Sequence, residues 1–300
     1  MDNSGVVSIL CGYTGFYSQL FFLLNHAIYA KTNALDFRID SEKWLFKYNQ
    51  GWNDYFENYV LNTNKIERFD ISKKHSNILI EAPIIKYKEI IRDVYRYNPE
   101  TLRFIDDVKR KLNLPNYYDS IFIRRGDKLT SGESIYLNAG IYIDLLLLKK
   151  PDAKVVYVQT DDYTAIEEIH AHLNKLQITL NIVTLCKEWE RGTFVLESYK
   201  KKERMKARNE DSVNYISKNN GIQSIKAVNN MTKDEIKHHT LTMIAGVEFV
   251  CNSNMCFLDY QSNVSRFIKL FHNDSTRVFN ILKPNSDIDY DRLKCPAYSF

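Results

Sequence analysis

The chain has 300 residues, 44% hydrophobic and 26% charged; at roughly 150 residues per domain this is one large domain or two ordinary ones, and it excludes long disorder. Lys and Arg number 41 against 37 Asp and Glu, a net charge of +4, too mild for a nucleic-acid binder without a local patch, while 10 Gly and 6 Pro exclude collagen-like and linker-rich chains. No apolar run reaches the roughly 18–20 residues that span a bilayer, no basic-then-apolar leader opens the sequence, and five Cys without a C-x-x-C pair indicate neither a disulfide framework nor a zinc ribbon, so the expectation is a reduced, cytoplasmic protein without a membrane span.

Val6–Leu10 is rich in β-branched residues and ends in Cys11-Gly12-Tyr13-Thr14-Gly15, which predicts a strand and a tight turn. From Ser18 to Thr32 the apolar residues at 20, 23, 24, 27 and 28 keep helical spacing, with Ser18 as the candidate cap. Ala34–Ile39 reads as the next strand. Strand, helix and strand in that order predict an α/β domain with parallel pairing. Residues 41–117 carry less pattern, apart from a helix running from Asn98-Pro99-Glu100 to Leu112 with Pro at its first position. A boundary is expected after Leu114-Pro115-Asn116. It gives an N-terminal lobe 1–117, a second lobe 118–285 and a tail 286–300.

In the second lobe, strands at Ser120–Ile123, Val155–Gln159, Leu180–Leu185 and Glu248–Asn252 alternate with helices at Ala139–Lys149, Tyr163–Leu176, Lys233–Gly246 and Ser262–Phe271. That alternation predicts a doubly wound sheet. Tyr199–Arg208 is a basic run, either a solvated helix or loop or a contact for an anionic partner.

In an open α/β sheet, ligands bind outside the carboxyl ends of the strands. Three polar clusters follow strands here: Arg124-Arg125-Gly126-Asp127-Lys128, Thr160-Asp161-Asp162, and the stretch from Asn252 to Arg266. The topology brings them to one edge of one sheet. Two arginines with a glycine between them and Asp127 suit a diphosphate, because a guanidinium binds phosphate oxygens through two donors; the plainer alternative is a solvated charged turn. Gln261-Ser262-Asn263-Val264-Ser265-Arg266 opens a helix, which suits either an anion at the helix N-terminus or an ordinary N-cap. Asp161 and Asp162 suit a ribose, loop order, a metal or the cap of the next helix. Glu133, in Thr130-Ser131-Gly132-Glu133-Ser134, is either a general base or an exposed glutamate. The seven His show no metal-ligand spacing.

Taken in order, these stretches resemble the α1,6-fucosyltransferase-like family of inverting, GDP-fucose-dependent glycosyltransferases. Phe122-Ile123-Arg124-Arg125-Gly126-Asp127-Lys128 is similar to its His-x-Arg-Arg-x-Asp-Lys motif. Val156-Tyr157-Val158-Gln159-Thr160-Asp161-Asp162 is similar to its Val-Tyr-x-x-Thr-Asp-Asp, and Gln261–Arg266 to its Ser-Ser-Gln-Val-x-Arg. Cys11-Gly12-Tyr13, Gln19-Leu20, Trp44 and Gly51-Trp52-Asn53-Asp54-Tyr55-Phe56 resemble its N-terminal stretches. The likeness covers 1–60 and 118–272.

The resemblance implies a GT-B-like α/β fold, two Rossmann-like lobes with a cleft between them. It implies a nucleotide-sugar donor, GDP-fucose, and an oligosaccharide or glycoconjugate acceptor, with no metal and no nucleic acid. Arg124 is then the chief β-phosphate contact with Arg125 in support, while Ser262, Asn263 and Arg266 join from the late helix and Gly12 and Tyr13 from the first lobe. Asp161 and Asp162 belong to the same nucleotide site. Glu133 is the nearest match to the family's base, displaced by one residue, with Lys128 beside it.

The sequence departs from the family at the motif histidine, here Phe122, and at a second guanine-contacting acid, which falls near Thr240. Asn252–Tyr260 reads as an insertion between the last strand and the Ser-Asn segment. Three alternatives stay open: a different nucleotide-sugar donor, a nucleotide-sugar or glycan binder without catalysis, and a nucleic-acid binder using Tyr199–Arg208.

Overall fold

The computed structural model describes residues 5–61, 67–68, 84–132, 134–195 and 227–282. Glu133, the basic run Tyr199–Arg208 and the tail 286–300 lie outside the described residues. Within these, the chain divides into two compact units. The first holds the residues up to Phe104 together with Lys233–Leu241, and the second holds the rest from Ile105.

The first unit is a parallel sheet ordered β2-β1-β3, from β1 (Gly5–Ile9), β2 (Asp36–Asp40) and β3 (Glu67–Arg68). Helix α1 (Phe16–Thr32) links the first two strands, as the periodicity predicts, and its apolar spacing buries Leu20, Leu23, Leu24, Ala27 and Ile28. Its start differs from the expectation. Gly15, not Ser18, holds the N-cap position, and Ser18 lies inside the helix with its hydroxyl lacking a partner among the described residues. The turn is held instead by Gln19, whose Oε1 accepts Cys11 N at 2.6 Å and whose amide donates to the Thr14 carbonyl at 2.8 Å.

The region with little pattern folds around aromatic side chains. Phe16, Trp44, Phe46, Trp52, Tyr55, Phe56 and Tyr95 are all buried, and Trp52 stacks on Phe56 with ring centroids 4.2 Å apart. Asp54 accepts the backbone amides of Tyr48, Asn49 and Gln50 at 2.8 to 3.1 Å. The Gly51–Phe56 stretch is thus a packing and turn-forming device within this unit. Helices α2 (Ile84–Val94) and α3 (Pro99–Lys111) follow. Asn98 caps the latter by accepting Thr101 N at 2.9 Å, with Pro99 at the first helical position as predicted.

The second unit is a five-stranded, wholly parallel sheet of order β6-β5-β4-β7-β8. Its strands are β4 (Asp119–Ile123), β5 (Val155–Thr160), β6 (Asn181–Thr184), β7 (Cys256–Leu258) and β8 (Val278–Asn280). Between them lie α4 (Gly126–Thr130), α5 (Gly140–Lys149), α6 (Thr164–Leu176), α8 (Asn263–Phe271) and α7 (Lys233–Cys251), of which Lys233–Leu241 fall in the first unit. Strand β4 is buried along its whole length, as a central parallel strand covered on both faces must be. Ile121, Ile123, Val156, Val158 and Phe257 pack against Tyr142, Ile143, Leu146, Ile166 and Ile169 in one core.

The expected strand at Glu248–Asn252 is not formed. Helix α7 runs on to Cys251, so Phe249, Val250 and Cys251 are buried as helical residues. Three apolar residues fit a strand and a buried helix end equally well, and Gly246, the expected end of the helix, lies inside it against Gln159. The last expected strand is instead Cys256–Leu258. Asn252–Tyr260 is therefore no insertion after a strand; it contains β7.

Candidate functional site

The strand order places the site. From β4 the chain moves outward to β5 and β6, then returns to the other side of β4 for β7. The switch point lies between β4 and β7, and in such sheets ligands bind outside the carboxyl ends there. The register pairs Ile123 with Thr160 and Phe122 with Leu258. Arg124, Asp161 and Asp259 are the first residues beyond one shared edge, so the first two clusters converge there with the Asp259–Arg266 part of the third. Asn252–Met255 precede β7 at the opposite edge, where Asn254 meets Asp119.

Arg124 leaves β4 with its side chain 15% exposed. Its guanidinium binds Asp161 Oδ2 through Nη1, and Asp127 Oδ1 and the Thr193 carbonyl through Nη2, the last at 3.2 Å. Two carboxylates and a carbonyl thus fix its orientation at the sheet edge.

Arg125 is only 2% exposed. Its Nη1 donates to Thr164 Oγ1 at 2.6 Å and Glu168 Oε1 at 3.2 Å; its Nη2 donates to Glu168 Oε2 at 2.6 Å and the Leu137 carbonyl at 3.3 Å. The guanidinium also lies 4.7 Å from the centre of the Tyr136 ring. Burial opposes its charge, but the hydrogen bond to Glu168 and that carboxylate's charge outweigh burial and hold the arginine protonated. Glu168, on α6, was not singled out in the sequence; no spacing rule links it to a residue 43 positions earlier.

Asp161 joins three segments. Oδ1 accepts Arg125 N at 2.8 Å, Oδ2 accepts Thr193 N at 2.9 Å as well as Arg124, and its carbonyl accepts Gly192 N at 2.6 Å. Asp162 is fully buried and caps α6, accepting Thr164 N at 2.9 Å and the Thr164 hydroxyl at 2.8 Å. Of the alternatives left open for this pair, loop order and helix capping are what the geometry displays. Gly126, at φ +45, does not leave a gap beside the arginines: a Cβ there would lie 2.6 Å from Asp161 Oδ2 and from Thr193 N and O. The missing side chain admits the Arg191-Gly192-Thr193 segment.

Lys128 is half-buried on α4. Beyond β7, Asp259 accepts the Tyr142 hydroxyl at 3.0 Å and Gln261 N at 3.0 Å, and burial pushes its carboxyl above the usual range. Gln261 Oε1 in turn accepts Ile135 N at 2.8 Å, tying this turn to the loop after α4. Ser262 is the N-cap of α8 and forms a reciprocal capping box with Ser265. Asn263 opens the helix and accepts Arg266 Nη1 at 3.3 Å. The start of this nine-residue helix thus stands at the switch-point edge, where its dipole favours an anion.

The structure gathers Arg124, Arg125, Lys128, Asp161 and Asp162 around the ends of β4 and β5, and sets Ser262, Asn263 and Arg266 after β7. Gly12 and Tyr13 belong to the first unit, in the exposed turn after β1. Among the described residues, no three His, Cys, Asp or Glu side chains group as metal ligands would. No helix among them is long and apolar enough to cross a membrane.

No family model matches the chain, and no curated protein matches it. Solved structures do. Fucosyltransferase NodZ from Bradyrhizobium is similar with a TM-score of 0.53 and 10% identity, over 95% of this chain and 98% of that one. NodZ alpha-1,6-fucosyltransferase soaked with GDP-fucose gives a TM-score of 0.52 at 10% identity with the same coverage. At this identity the likeness is one of fold, and it extends over nearly the whole of both chains.

Proposed function

We propose that the chain is an inverting glycosyltransferase of the GT-B type that transfers fucose from GDP-fucose to a hydroxyl of an oligosaccharide or glycoconjugate. The observation that carries this is Arg124: a partly exposed guanidinium, oriented by Asp127, Asp161 and Thr193, at the switch point of a parallel sheet. The fold shared with a fucosyltransferase soaked with GDP-fucose supports the same donor.

As the bond from C1 to the diphosphate breaks, negative charge grows on the β-phosphate. A cation fixed at that oxygen stabilises the transition state more than the ground state, typically by a few kcal/mol. Arg124 takes that role. Lys128 follows on α4, and the N-terminus of α8 at Ser262 and Asn263 adds favourable dipoles. Arg125, Asp161 and Asp162 hold the loops that present Arg124. Glu133 accepts the acceptor hydroxyl's proton while attack comes from the face opposite the diphosphate, which inverts C1. Guanidinium groups supply the charge, so the proposal requires no metal. The four described cysteines are free thiols, which supports a reducing, cytoplasmic setting.

Calorimetry with GDP and UDP, followed by release of GDP from GDP-fucose, tests this. Arg124→Ala is expected to lower turnover by roughly 10²-fold or more; a folded variant with wild-type turnover refutes its role. Glu133→Gln with full activity removes the base. A second reading, another nucleotide-sugar donor, is favoured by Phe122. It stands where the resemblance has a histidine and is buried in the sheet, so it offers no polar group to a base. A panel of nucleotide sugars decides between them.

A further inference from the structure

The segment after β6 carries contacts that nothing in the sequence suggested. Glu190 O accepts Tyr163 N at 2.9 Å at one end, and Phe194 O accepts Val228 N at 3.2 Å at the other. Between these anchors the chain crosses directly over Gly126. Gly192 has φ +91, and a Cβ on it would lie 2.5 Å from Gly126 Cα. Gly126 is itself at φ +45 and is closed from above by Thr193. Two left-handed glycines therefore meet back to back, each at a position that tolerates no side chain.

This contact sets the next peptide down on the arginine. Thr193 O accepts both Asp127 N at 3.2 Å and Arg124 Nη2 at 3.2 Å. Thr193 N donates at 2.9 Å to Asp161 Oδ2, the same oxygen that accepts Arg124 Nη1. Thr193 thus meets both terminal nitrogens of the guanidinium: its N–H shares an acceptor with Nη1, and its carbonyl accepts from Nη2. Its contacts are made by backbone atoms, so only the path of the chain, and hence Gly192, determines them.

We propose that Arg191–Phe194 is a strap that aims the Arg124 guanidinium at a bound diphosphate, with Gly192 as its positioning residue. The proposal rests on the diphosphate site assigned to Arg124 above. Gly192 touches no ligand; it acts through Arg124. A methyl group at 192 lifts the strap from Gly126, carries Thr193 O away from Arg124 and leaves the guanidinium bound to its two carboxylates alone.

The test is a double-mutant cycle on Gly192→Ala and Arg124→Ala, read by calorimetry with GDP and with inorganic pyrophosphate and by thermal melting. Gly192→Ala should weaken GDP by about tenfold in the wild-type background and by less than about twofold when Arg124 is already Ala. The melting temperature should fall equally in both backgrounds, since the strap is displaced in each. Equal losses of GDP affinity in the two backgrounds would overturn the strap as a positioning device and leave the diphosphate site standing. A wild-type protein that binds neither GDP nor pyrophosphate overturns both. Should Gly192→Ala not fold, Asp161→Asn carries the same cycle, because one of its two oxygens becomes an NH2 that cannot accept Arg125 N or, turned over, Thr193 N and Arg124.

Discussion

Arg125 and Arg124 are neighbours in sequence, and the structure predicts that losing them has different consequences for ligand binding. Arg125→Met removes a guanidinium that makes four hydrogen bonds, two of them to Glu168, and leaves that carboxylate, 20% exposed, without its cation. Breaking one side of a buried ion pair costs about 3–5 kcal/mol. Glu168 keeps the Tyr136 hydroxyl and Ala139 N as donors, so the lower end applies, about 3 kcal/mol. For a unit of this size that is a melting temperature lowered by roughly 6–12 °C. Thermal unfolding by circular dichroism measures it. Below the new midpoint, GDP affinity should stay within about threefold of wild type, whereas Arg124→Ala loses affinity as well as stability, because it leaves Asp127 and Asp161 without their cation. Arg125→Lys should fall between, because an ammonium cannot span both Glu168 oxygens. An Arg125→Met protein that melts with wild type would refute the burial argument. One that melts lower yet binds GDP as poorly as Arg124→Ala would make Arg125 a ligand contact.

Three other outcomes are expected. Burial pushes His272 down to about 4 from its ordinary 6.5, and its ring accepts Asp274 N at 3.1 Å in the neutral form. The unfolded chain therefore takes up a proton below about pH 6.5 that the folded chain resists until about 4. This contribution is complete above pH 6.5 and is lost as the pH falls to 4, by at most about 3 kcal/mol; urea midpoints at pH 7.5 and 4.5 should differ less in His272→Gln than in wild type. Asp54→Ala frees three backbone amides in the first unit and should destabilise it by about 3 kcal/mol, visible as a lower urea midpoint by tryptophan fluorescence at Trp44 and Trp52. Burial raises the thiols of Cys186, Cys251 and Cys256, the last to about 12, so iodoacetamide should modify half-exposed Cys11 before these three and reach them only in urea. Peptide mapping by mass spectrometry that finds Cys251 alkylated in the native protein would contradict the packing around α7.

Local pattern was enough for most elements. The β-branched run at Val6–Leu10, the helical spacing from Ser18 to Thr32, the Asn98-Pro99 start and the alternation from Ser120 to Leu185 each carry their signal within a dozen residues. The same is true of the convergence at one sheet edge, since parallel strands joined by helices all present their carboxyl ends together. Two short assignments failed because their signal was shared. A short apolar run such as Phe249–Cys251 suits helix or strand, and Ser18 is a good cap only if the helix starts one turn later than it does.

The site was legible as a set of residues and not as a set of roles. Sequence alone determined that two arginines, two aspartates and a helix start would meet at one edge, because periodicity and strand order follow from side-chain pattern. Only the tertiary structure decided which arginine is buried on Glu168 and which stays at the surface, and that Gly126 makes room for Gly192 and Thr193. Those choices depend on partners 43 and 66 positions away in the chain. Which donor finds which acceptor across such a separation is settled by packing and the cost of burying an unpaired charge, and neither is written in any local run of residues.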